Sequence, residues 1–362
     1  MRFRMGELFS GPGGIALGAD MAAEASFSYG KVDIVHTWAN DLDKDTCRTY
    51  GSNIKIKKMD VHCEDIRTLK TFELGEIDVL SFGFPCNDYS IVGEQKGTQG
   101  TYGPLYSYAV SVLKSHKPLW FLAENVSGLR NTNEGRDFKK ILGEMYEAGY
   151  DVFPNLYRFE EYGVPQSRHR IIIVGFRKDL KLNFRIPSPS RCIRTCRDAI
   201  ENPPIPADSG NNEHTLQSHA VAERLKYIKP GENAFTADLP KKLRLNVKGA
   251  KISQIYRRLD PDKPAYTLTG SGGGGTHMYH WSENRALTNR ERARIQTFPD
   301  SYLFHGSKES VRKQIGMAVP PEGAKIIMEA VFKTLQGIEY EYSEPTMQPL
   351  LHGGGESAVC SP

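Results

Sequence analysis

The stretch DVLSFGFPC, from Asp78 to Cys86, is an apolar run that ends in a turn carrying a thiol. A run of this length without polar alternation is typical of a strand that is buried on both faces, as in a parallel sheet. Ligands and reactive groups gather beyond the carboxyl ends of such strands. Free cysteines usually pack as small apolar side chains. The position of this one nevertheless favours a Cys86 that faces a substrate crevice.

Around this stretch, the first 176 residues alternate short apolar runs with amphipathic segments. Helical spacing links Phe138, Ile141 and Met145, and residues 105–116 predict another helix that ends before Pro118. Strands are predicted at residues 3–9, 32–39, 55–61, 77–84, 119–124, 152–159 and 170–176. The repeated alternation predicts an α/β fold with a doubly wound, mostly parallel sheet.

The pattern changes after Phe176, where Pro, Asn, Gly and Ser become frequent and no period is sustained. Residues 181–283 are therefore predicted to form a second, smaller and loop-rich domain. Helical signals return at Thr288, which starts a capping-box pattern. We expect residues 1–180 and 284–341 to build the larger domain, and residues 342–362 to be a disordered tail.

Composition indicates a globular protein, with 39% hydrophobic and 25% charged residues. The six cysteines form no disulfide framework, and the amino terminus lacks the apolar segment of a signal peptide, so a soluble cytoplasmic protein is expected. Between Arg177 and Glu283 the chain carries 18 Lys and Arg against 11 Asp and Glu. This local basic surplus suits a face that meets a polyanion such as nucleic acid.

The first predicted strand runs into a glycine-rich turn, Ser10-Gly11-Pro12-Gly13-Gly14. Glycines at the start of a helix let the backbone approach a ligand closely, which is typical of a cofactor site. Asp41 follows the second strand, where a carboxylate can grip a ribose diol. Asp65 and Ile66 follow the third predicted strand, where they could contact an adenine edge. These features alone leave S-adenosylmethionine and NAD as alternatives.

Six segments in order decide between these alternatives: FSGPGG (9–14), GFPC (83–86), ENV (124–126), QSRHR (166–170), RRLDPDKPAYTLTGSGGGG (257–275) and RALTNRERARIQTFPDSY (285–302) with GMAVPP (316–321). With these motifs the chain resembles the DNA cytosine-5 methyltransferases of bacterial restriction-modification systems. The resemblance covers roughly residues 5 to 335. It implies the Rossmann-like fold of S-adenosylmethionine-dependent methyltransferases, with a loop-rich DNA-recognition domain at residues 181–283.

The resemblance also implies how four residues act. Cys86 would attack C6 of a cytosine that has been flipped out of the duplex. Glu124 would hold the N3 and amino edge of the base. Arg168 and Arg170 would orient Glu124, the base oxygen or a nearby phosphate. Residues 87–102, directly after the nucleophile, are expected to form a loop that closes over the base.

S-adenosylmethionine is the implied cofactor, and the resemblance assigns its site to twelve residues. They are Phe9, Ser10, Gly11, Gly13, Gly14, Asp41, Asp65, Ile66, Pro85, Leu105, Ala318 and Val319. Two positions depart from the family pattern. Asn87 stands where Gln is common, and Met317 stands where an Asn is common, so an amide contact to the cofactor is lost there or replaced by backbone.

Double-stranded DNA is the expected partner of a monomeric enzyme, with a restriction endonuclease possible for the same site. Candidate DNA contacts are Arg244, Lys248, Arg257 and Arg258. No metal is expected, since Cys192 and Cys196 lack a second ligand pair with suitable spacing. The alternatives are an RNA cytosine-5 methyltransferase, a catalytically silent homologue and an NAD dehydrogenase, the last of which explains only the amino-terminal third.

Overall fold

The computed structural model describes residues 1–84, 105–190, 192–245, 253–270 and 274–352. The chain divides into two compact units. Unit 1 comprises residues 1–158, 169–189 and those from 321 onward, and unit 2 comprises residues 159–168 and 190–320. No helix in the described part of the chain is long and apolar enough to cross a membrane.

The described strands follow one another along the chain with the following bounds. They are β1 (Arg2–Leu8), β2 (Asp33–Asp41), β3 (Val61–Cys63), β4 (Val79–Gly83), β5 (Trp120–Val126), β6 (Tyr150–Arg158), β7 (Gln166–Ser167), β8 (His169–Arg177), β9 (Ile186–Pro187), β10 (Ala265–Tyr266) and β11 (Tyr342–Ser343).

The α-helices of the described residues differ widely in length. They are α1 (Gly14–Ala25), α2 (Lys44–Asn53), α3 (Tyr106–His116), α4 (Arg136–Glu147), α5 (Cys196–Glu201), α6 (His219–Leu225), α7 (Asn289–Ile295), α8 (Lys308–Met317) and α9 (Pro321–Gln336). The capping box predicted at Thr288 is confirmed, because its side chain and that of Glu291 each accept a hydrogen bond from the other residue's backbone N–H.

Seven strands of unit 1 form one sheet in the order β3-β2-β1-β4-β5-β8-β6. Strands β1 to β5 are parallel, and β8 runs antiparallel to both β5 and β6. The predicted α/β fold with a mostly parallel sheet is therefore confirmed. From β1 the sheet is extended on one side by β2 and β3 and on the other side by β4 and β5. The strand order therefore switches between β1 and β4, which is where ligands bind in sheets of this kind.

The core of unit 1 explains why the sheet forms where it does. Four successive residues of β4, from Val79 to Phe82, are buried. The ring centroids of Phe82 and Phe121 lie 5.9 Å apart, and α4 adds Ile141 and Met145 to the same cluster. Burial of each large apolar side chain contributes about 1.5–3 kcal/mol. The apolar runs of the sequence are therefore the inner strands of the sheet.

The third predicted strand is wrong over most of its length. Residues 58–60 form a short 3₁₀ turn, and β3 begins only at Val61. The alternation of Lys55 and Lys57 with isoleucines resembles a half-buried strand, but Ile56 is only half-buried and Met59 is exposed. Local alternation there does not correspond to a buried face.

The chain after Tyr342 also differs from the expected disordered tail. Strand β11 pairs with β9, and the backbone of Leu350 exchanges two hydrogen bonds of 2.8 and 2.9 Å with Val152 on β6. Since β6 is an edge strand, these residues satisfy backbone groups that the sheet leaves unpaired. Residues 353–362 lie outside the described residues.

The unit boundaries differ from those of the expected domains at three places. Residues 159–168 group with unit 2, and residues 181–189 group with unit 1. Residues 284–320, which the sequence assigns to the larger domain, group with unit 2. One apolar cluster accounts for this last grouping. The cluster around Cys196, Leu259 and Leu268 also contains Leu287 and Ile295. The segment carrying α7 therefore shares a core with the loop-rich residues rather than with the large sheet.

Two helical glycines give a matched test of the packing. A β-carbon at Gly18 in α1 would lie 2.5 Å from the β-carbon of Ala324 and 2.7 Å from the carbonyl oxygen of Pro321, both in α9. A β-carbon at Gly143 in α4 would meet nothing within 4 Å. Gly18→Ala should therefore lower the free energy of unfolding by about 1–3 kcal/mol through overpacking.

Gly143→Ala should instead raise the free energy of unfolding by about 0.5–1 kcal/mol, because alanine loses less backbone entropy in a helix. Urea unfolding followed by circular dichroism measures both changes. Equal effects of the two substitutions would contradict the close approach of α1 and α9.

Candidate active site

The glycine-rich turn connects β1 to α1 through three residues with positive φ. Phe9, Gly11 and Gly13 have φ values of 52°, 56° and 94°. Gly13 is the N-cap of α1 and offers no side chain to the first-turn N–H groups of the helix. Those donors and the positive end of the helix dipole suit a polar or anionic ligand group. The predicted close approach of backbone to a ligand is thus sterically feasible here.

Asp41, the last residue of the neighbouring strand β2, is hydrogen-bonded to this turn. Its Oδ2 accepts a hydrogen bond of 2.9 Å from the Gly11 backbone N–H, and its Oδ1 accepts one of 3.0 Å from Asp43. Burial raises the pKa of the carboxyl, and these two hydrogen bonds act in the opposite direction. Each carboxylate oxygen has a further acceptor position. Asp41 therefore fixes the turn and can still accept hydrogen bonds from a ligand.

Asp65 and Ile66 are held in place by their own surroundings. The Asp65 carboxylate lies 2.5 Å from the Arg67 guanidinium, which lowers the pKa of Asp65 to about 2. Ile66 is 4% exposed and belongs to the core of unit 1. The contact of these residues with an adenine stays a prediction.

Glu7 is a buried carboxyl on β1 that the motif search did not single out. It is 1% exposed, and Tyr50 donates a 3.0 Å hydrogen bond to its Oε2. Burial raises the pKa of Glu7 to about 8, and the hydrogen bond from Tyr50 offsets only part of this shift. The signal in the sequence was an acidic residue near the end of the first predicted strand, three positions before Ser10.

The ends of β4 and β5 form the other half of this edge. Gly83 is paired in register with Glu124, and a β-carbon at Gly83 would lie 3.4 Å from Glu124 Oε2. The Asn125 side chain donates a 3.1 Å hydrogen bond to the carbonyl oxygen of Phe84. Pro85, Cys86 and the expected loop at residues 87–102 lie outside the described residues. The chain is nevertheless held beside Glu124 up to two residues before Cys86.

Glu124 has a charged partner on the adjacent strand. Arg170 Nε lies 2.9 Å from Glu124 Oε1, and the two side chains are only 14% and 12% exposed. Strands β5 and β8 pair Val126 with Arg170, so the two charged residues are diagonal neighbours on the sheet. A largely buried, charge-assisted hydrogen bond of this kind fixes the orientation of the carboxylate.

Comparison with known proteins identifies the family to which the chain is similar. The sequence-family model of the C-5 cytosine-specific DNA methylases matches residues 3–333. A type II methyltransferase of Brevibacillus brevis, M.BbvI, is 57% identical over 94% of this chain and 93% of its own length. The type II methyltransferase M.NgoFVII of Neisseria gonorrhoeae is 39% identical over 90% of this chain and 85% of its own length.

The chain belongs to the C-5 cytosine-specific DNA methylases. Its enzyme class is DNA (cytosine-5-)-methyltransferase. A solved structure shares its fold, that of a proposed DNA modification methyltransferase encoded within a prophage (E. coli). The two align with a TM-score of 0.70 at 23% identity, over 92% of this chain and 99% of that one.

In this methylase, Arg168 belongs to unit 2, whereas Arg170 belongs to unit 1. The buried Arg168 guanidinium donates hydrogen bonds of 3.0 and 2.9 Å to the carbonyl oxygens of Leu268 and Ala318. The two arginines are separated by one residue in the motif, but these two hydrogen bonds of Arg168 join it to backbone segments of unit 2. Its predicted role in orienting Glu124 or the base stays a prediction.

The late motif has no side-chain amide at Met317, where the resemblance led us to expect one. Met317 is 61% exposed, and the carbonyl of Ala318 accepts the hydrogen bond from Arg168. Ala318 and Val319 are buried. Gly316 packs directly on the backbone of Thr269, because a β-carbon would lie 2.3 Å from its carbonyl carbon. Leu105, just before α3, is also buried, and the cofactor contacts of these residues stay predictions.

The candidate DNA contacts are placed differently from one another. Arg258 is 4% exposed, and its guanidinium bonds the carbonyl oxygens of Leu225, His280 and Glu283, so it holds unit 2 together and is not available to DNA. Arg257 lies over the Tyr266 ring at 4.7 Å. Arg244 is exposed, and Lys248 lies outside the described residues.

The buried Glu7 predicts a pH dependence of stability. A native carboxyl with a pKa of about 8 keeps its proton up to higher pH than the same carboxyl in the unfolded chain, whose value is near 4.5. Its stabilising effect is complete below pH 4.5 and is lost as the pH rises towards 8. Glu7→Gln cannot ionise, so the variant should lack a decline in unfolding free energy of roughly 3–4 kcal/mol between pH 5 and pH 8.

Urea unfolding at pH 5, 6, 7 and 8 measures this difference. The control is Glu24→Gln, which alters an exposed carboxylate on α1 and should leave the wild-type pH profile in place. If Glu7→Gln showed the same decline as the wild type, the assignment of a protonated Glu7 would be wrong.

The Glu124–Arg170 pair predicts energetic coupling. Arg170→Met leaves a largely buried carboxylate without its charged hydrogen-bond partner, and should lower the free energy of unfolding by about 1.5–3 kcal/mol. The cost should shrink in the double variant with Glu124→Gln, giving a coupling energy of about 0.5–3 kcal/mol in a double-mutant cycle. Additive effects in urea unfolding would show that the two side chains do not interact in solution.

Proposed function

We propose that this methylase transfers a methyl group from S-adenosylmethionine to C5 of a flipped-out cytosine in a specific double-stranded DNA site, through a covalent bond between Cys86 and C6. The observation that carries the proposal is the placement of Glu124. Its carboxylate is fixed by Arg170 at 2.9 Å and lies opposite the last residue of β4, the strand that leads to Cys86.

The chemistry requires a nucleophile and a group that binds the base edge. C5 of cytosine is a poor nucleophile, and addition of a thiolate to C6 makes it enamine-like. The Cys86 thiolate forms the S–C6 bond while electrons move through the ring towards N3. For this step the Glu124 carboxyl must carry a proton, which it donates to N3 as this charge develops, while its other oxygen accepts a hydrogen bond from the amino group; this is the transition-state interaction that speeds the addition. Arg170 keeps the carboxyl group in that orientation.

The cofactor site is supported by the turn after β1. A β-carbon at Gly11 would meet nothing within 4 Å, which leaves space for a ligand against the backbone, and the half-buried Asp41 can accept hydrogen bonds from ribose hydroxyls. When bound, S-adenosylmethionine supplies an electrophilic methyl carbon. The role of Asp41 and the α1 N-terminus is to bind and orient that molecule beside the edge where β4 and β5 end.

The reaction ends with recovery of the enzyme. C5 attacks the methyl carbon, and the electron pair of the broken carbon–sulfur bond stays on the departing thioether. A base then removes the C5 proton, the C6–S bond breaks, and Cys86 returns as thiolate with 5-methylcytosine as product. We propose that residues 87–102 close over the flipped base and exclude water during these steps.

We assign target recognition to residues 181–283. Arg244, Lys248 and Arg257 are the remaining candidates for DNA contacts in this segment, since Arg258 is committed to structure. The relatives are named type II methyltransferases. We therefore propose a restriction-modification role, in which methylation protects DNA against an endonuclease of the same specificity.

The proposal predicts a strict requirement for the Cys86 thiol. Cys86→Ser should lower methyl transfer to duplex DNA by at least roughly 10³-fold, because a serine hydroxyl is far less nucleophilic than a thiolate. The matched control is Cys192→Ser, at an exposed cysteine of unit 2, which should keep wild-type activity. Transfer of a labelled methyl group to plasmid DNA, followed by mapping of 5-methylcytosine, measures activity and gives the recognised site together.

A duplex carrying 5-fluorocytosine at the mapped position tests the covalent step. Fluorine cannot leave C5 as a proton does, so the protein–DNA bond should persist and survive denaturing electrophoresis. Retained turnover by Cys86→Ser, or absence of a trapped complex with active enzyme, would exclude Cys86 as the nucleophile. Methyl transfer to RNA but not to duplex DNA would favour the alternative of an RNA methyltransferase.

A further inference from the structure

Two cysteines of unit 1 that the proposed mechanism does not use lie next to the predicted cofactor site. Cys47 is in the first turn of α2, and Cys63 is the last residue of β3. The strand register places Cys63 directly beside Asp41, the carboxylate that the proposed function assigns to the cofactor ribose. Asp65, which is predicted to contact the adenine, follows Cys63 by two residues. The two cysteines therefore adjoin the residues that are expected to bind the nucleoside part of the cofactor.

The thiol groups of these two cysteines meet at the end of β2. The carbonyl oxygen of Asp41 accepts hydrogen bonds from the Cys47 thiol at 3.4 Å and from the backbone N–H of Glu64 at 3.1 Å. The Cys63 thiol lies 3.9 Å from the carbonyl oxygen of Leu42. The two thiols are also within hydrogen-bonding reach of each other. Both sulfurs therefore lie against the two residues that link β2 to the start of α2.

The backbone that carries each thiol is held independently. The Asn40 side-chain amide donates hydrogen bonds of 2.9 and 2.8 Å to the carbonyl oxygens of the residues before and after Cys63. On the other side, the Asp43 side chain caps α2, which carries Cys47. The sulfurs of a disulfide lie about 2.05 Å apart. Since the thiols already touch, a disulfide requires only a short further approach of the two segments.

The two thiols differ in what can reach them. Cys63 is exposed, whereas Cys47 is only 7% exposed. Burial raises the pKa of the Cys47 thiol, and the neighbouring Cys63 and Asp41 act in the same direction. Cys47 therefore keeps its proton and is shielded from solutes, whereas Cys63 can meet a dissolved oxidant. An exposed thiol beside a second thiol is the arrangement of a reversible redox pair. Disulfides of this kind in reducing compartments are usually transient.

We propose that Cys47 and Cys63 form a redox pair that a low-molecular-weight disulfide converts into an intramolecular disulfide, and that this bond weakens cofactor binding at Asp41. The second part rests on the proposed function, because it uses the cofactor site assigned to Asp41. The bond withdraws the S–H groups from the carbonyl oxygens of Asp41 and Leu42 and draws α2 and β3 together. Both changes act on the residue whose position the ribose contact depends on.

The reaction consists of two thiol–disulfide exchanges. The Cys63 thiolate attacks one sulfur of oxidised glutathione, so that a mixed disulfide forms and one glutathione leaves. The Cys47 sulfur then attacks the Cys63 sulfur, the bond to the second glutathione breaks, and that glutathione leaves. Each departing glutathione takes up the proton that a cysteine has lost. In sum, the two protein thiols lose two electrons, and one glutathione disulfide becomes two glutathione thiols.

Redox equilibration tests the thiol pair without any need for enzyme activity. The wild-type protein is incubated in mixtures of reduced and oxidised glutathione, alkylated, digested and examined by mass spectrometry. We expect a linked peptide pair that contains Cys47 and Cys63 and that dithiothreitol separates again. Cys47→Ser should stop at a mixed disulfide of Cys63 with glutathione. The matched control is Cys192→Ser, at an exposed cysteine of unit 2, which should form the same linked peptides as the wild type.

Calorimetric titration with S-adenosylmethionine measures the effect on cofactor binding. The disulfide form should bind the cofactor roughly tenfold more weakly than the reduced form. Cys63→Ser keeps a hydroxyl donor but cannot form the bond, so its affinity should be the same before and after glutathione treatment. This variant also corrects for glutathione attached to Cys86. Since coupling between two sites is reciprocal, saturating cofactor should shift the glutathione equilibrium towards the reduced pair by the same factor. A thiol pair with only a structural role would not respond to the cofactor.

The outcomes separate this inference from the proposed function. A wild type in which Cys63 stays a thiol, or stops at the mixed disulfide, would overturn the redox pair while the enzyme assignment stands. A linked pair that binds the cofactor as tightly as the reduced protein would overturn the effect on the site. If the reduced wild type does not bind S-adenosylmethionine, the proposed function fails, and the effect on cofactor binding fails with it.

Discussion

The parallel pairing of β1, β4 and β5 is the constraint on which the proposed site of this methylase depends. Because the three strands run in one direction, their carboxyl ends meet at one edge of the sheet. The register sets Leu8 opposite Phe82 and Gly83 opposite Glu124. A slip of one residue would turn every side chain of a strand to the other face. The apolar faces of β4 and β5 forbid such a slip, so the buried core positions Glu124.

This edge of the sheet also concentrates polar groups that folding alone does not favour. Glu7, Asp41 and Glu124 are all wholly or largely withdrawn from water, and each is stabilised differently. Glu7 keeps its proton, Asp41 accepts backbone hydrogen bonds, and Glu124 pairs with Arg170. Burial raises the pKa of Glu7 and of Asp41, and titratable groups perturbed in this way cluster at functional sites because the ligand, not the fold, uses them. Their common edge is therefore a stronger indication of function than any one of them.

Much of this arrangement could be predicted from the sequence, because it depends on local patterns. Continuous apolar runs gave the inner strands, and the capping box at Thr288 fixed the start of α7. The prediction of a strand at residues 55–61 was wrong because an alternation of polar and apolar residues indicates a face that could be buried. It does not indicate whether another part of the protein covers that face. The position of Glu124 followed from its motif, whereas its contact with Arg170 depends on the pairing of β5 with β8, which no local pattern encodes.

The surplus of Lys and Arg over Asp and Glu in residues 177–283 does not measure how much positive charge is available to bind DNA. A loop-rich unit has few ladder hydrogen bonds, so many backbone carbonyls need donors from elsewhere. An arginine offers five donors in a fixed plane and can satisfy several carbonyls at once. Arg258 does this within residues 177–283, and Arg168 and Arg290 do the same elsewhere in unit 2. Arginines of this kind raise the net charge without offering it to DNA. An arginine is available to a ligand only when its N–H groups are not already hydrogen-bonded to the protein. The burial and hydrogen bonds seen in the structure, rather than the sequence, distinguish such arginines from the structural ones.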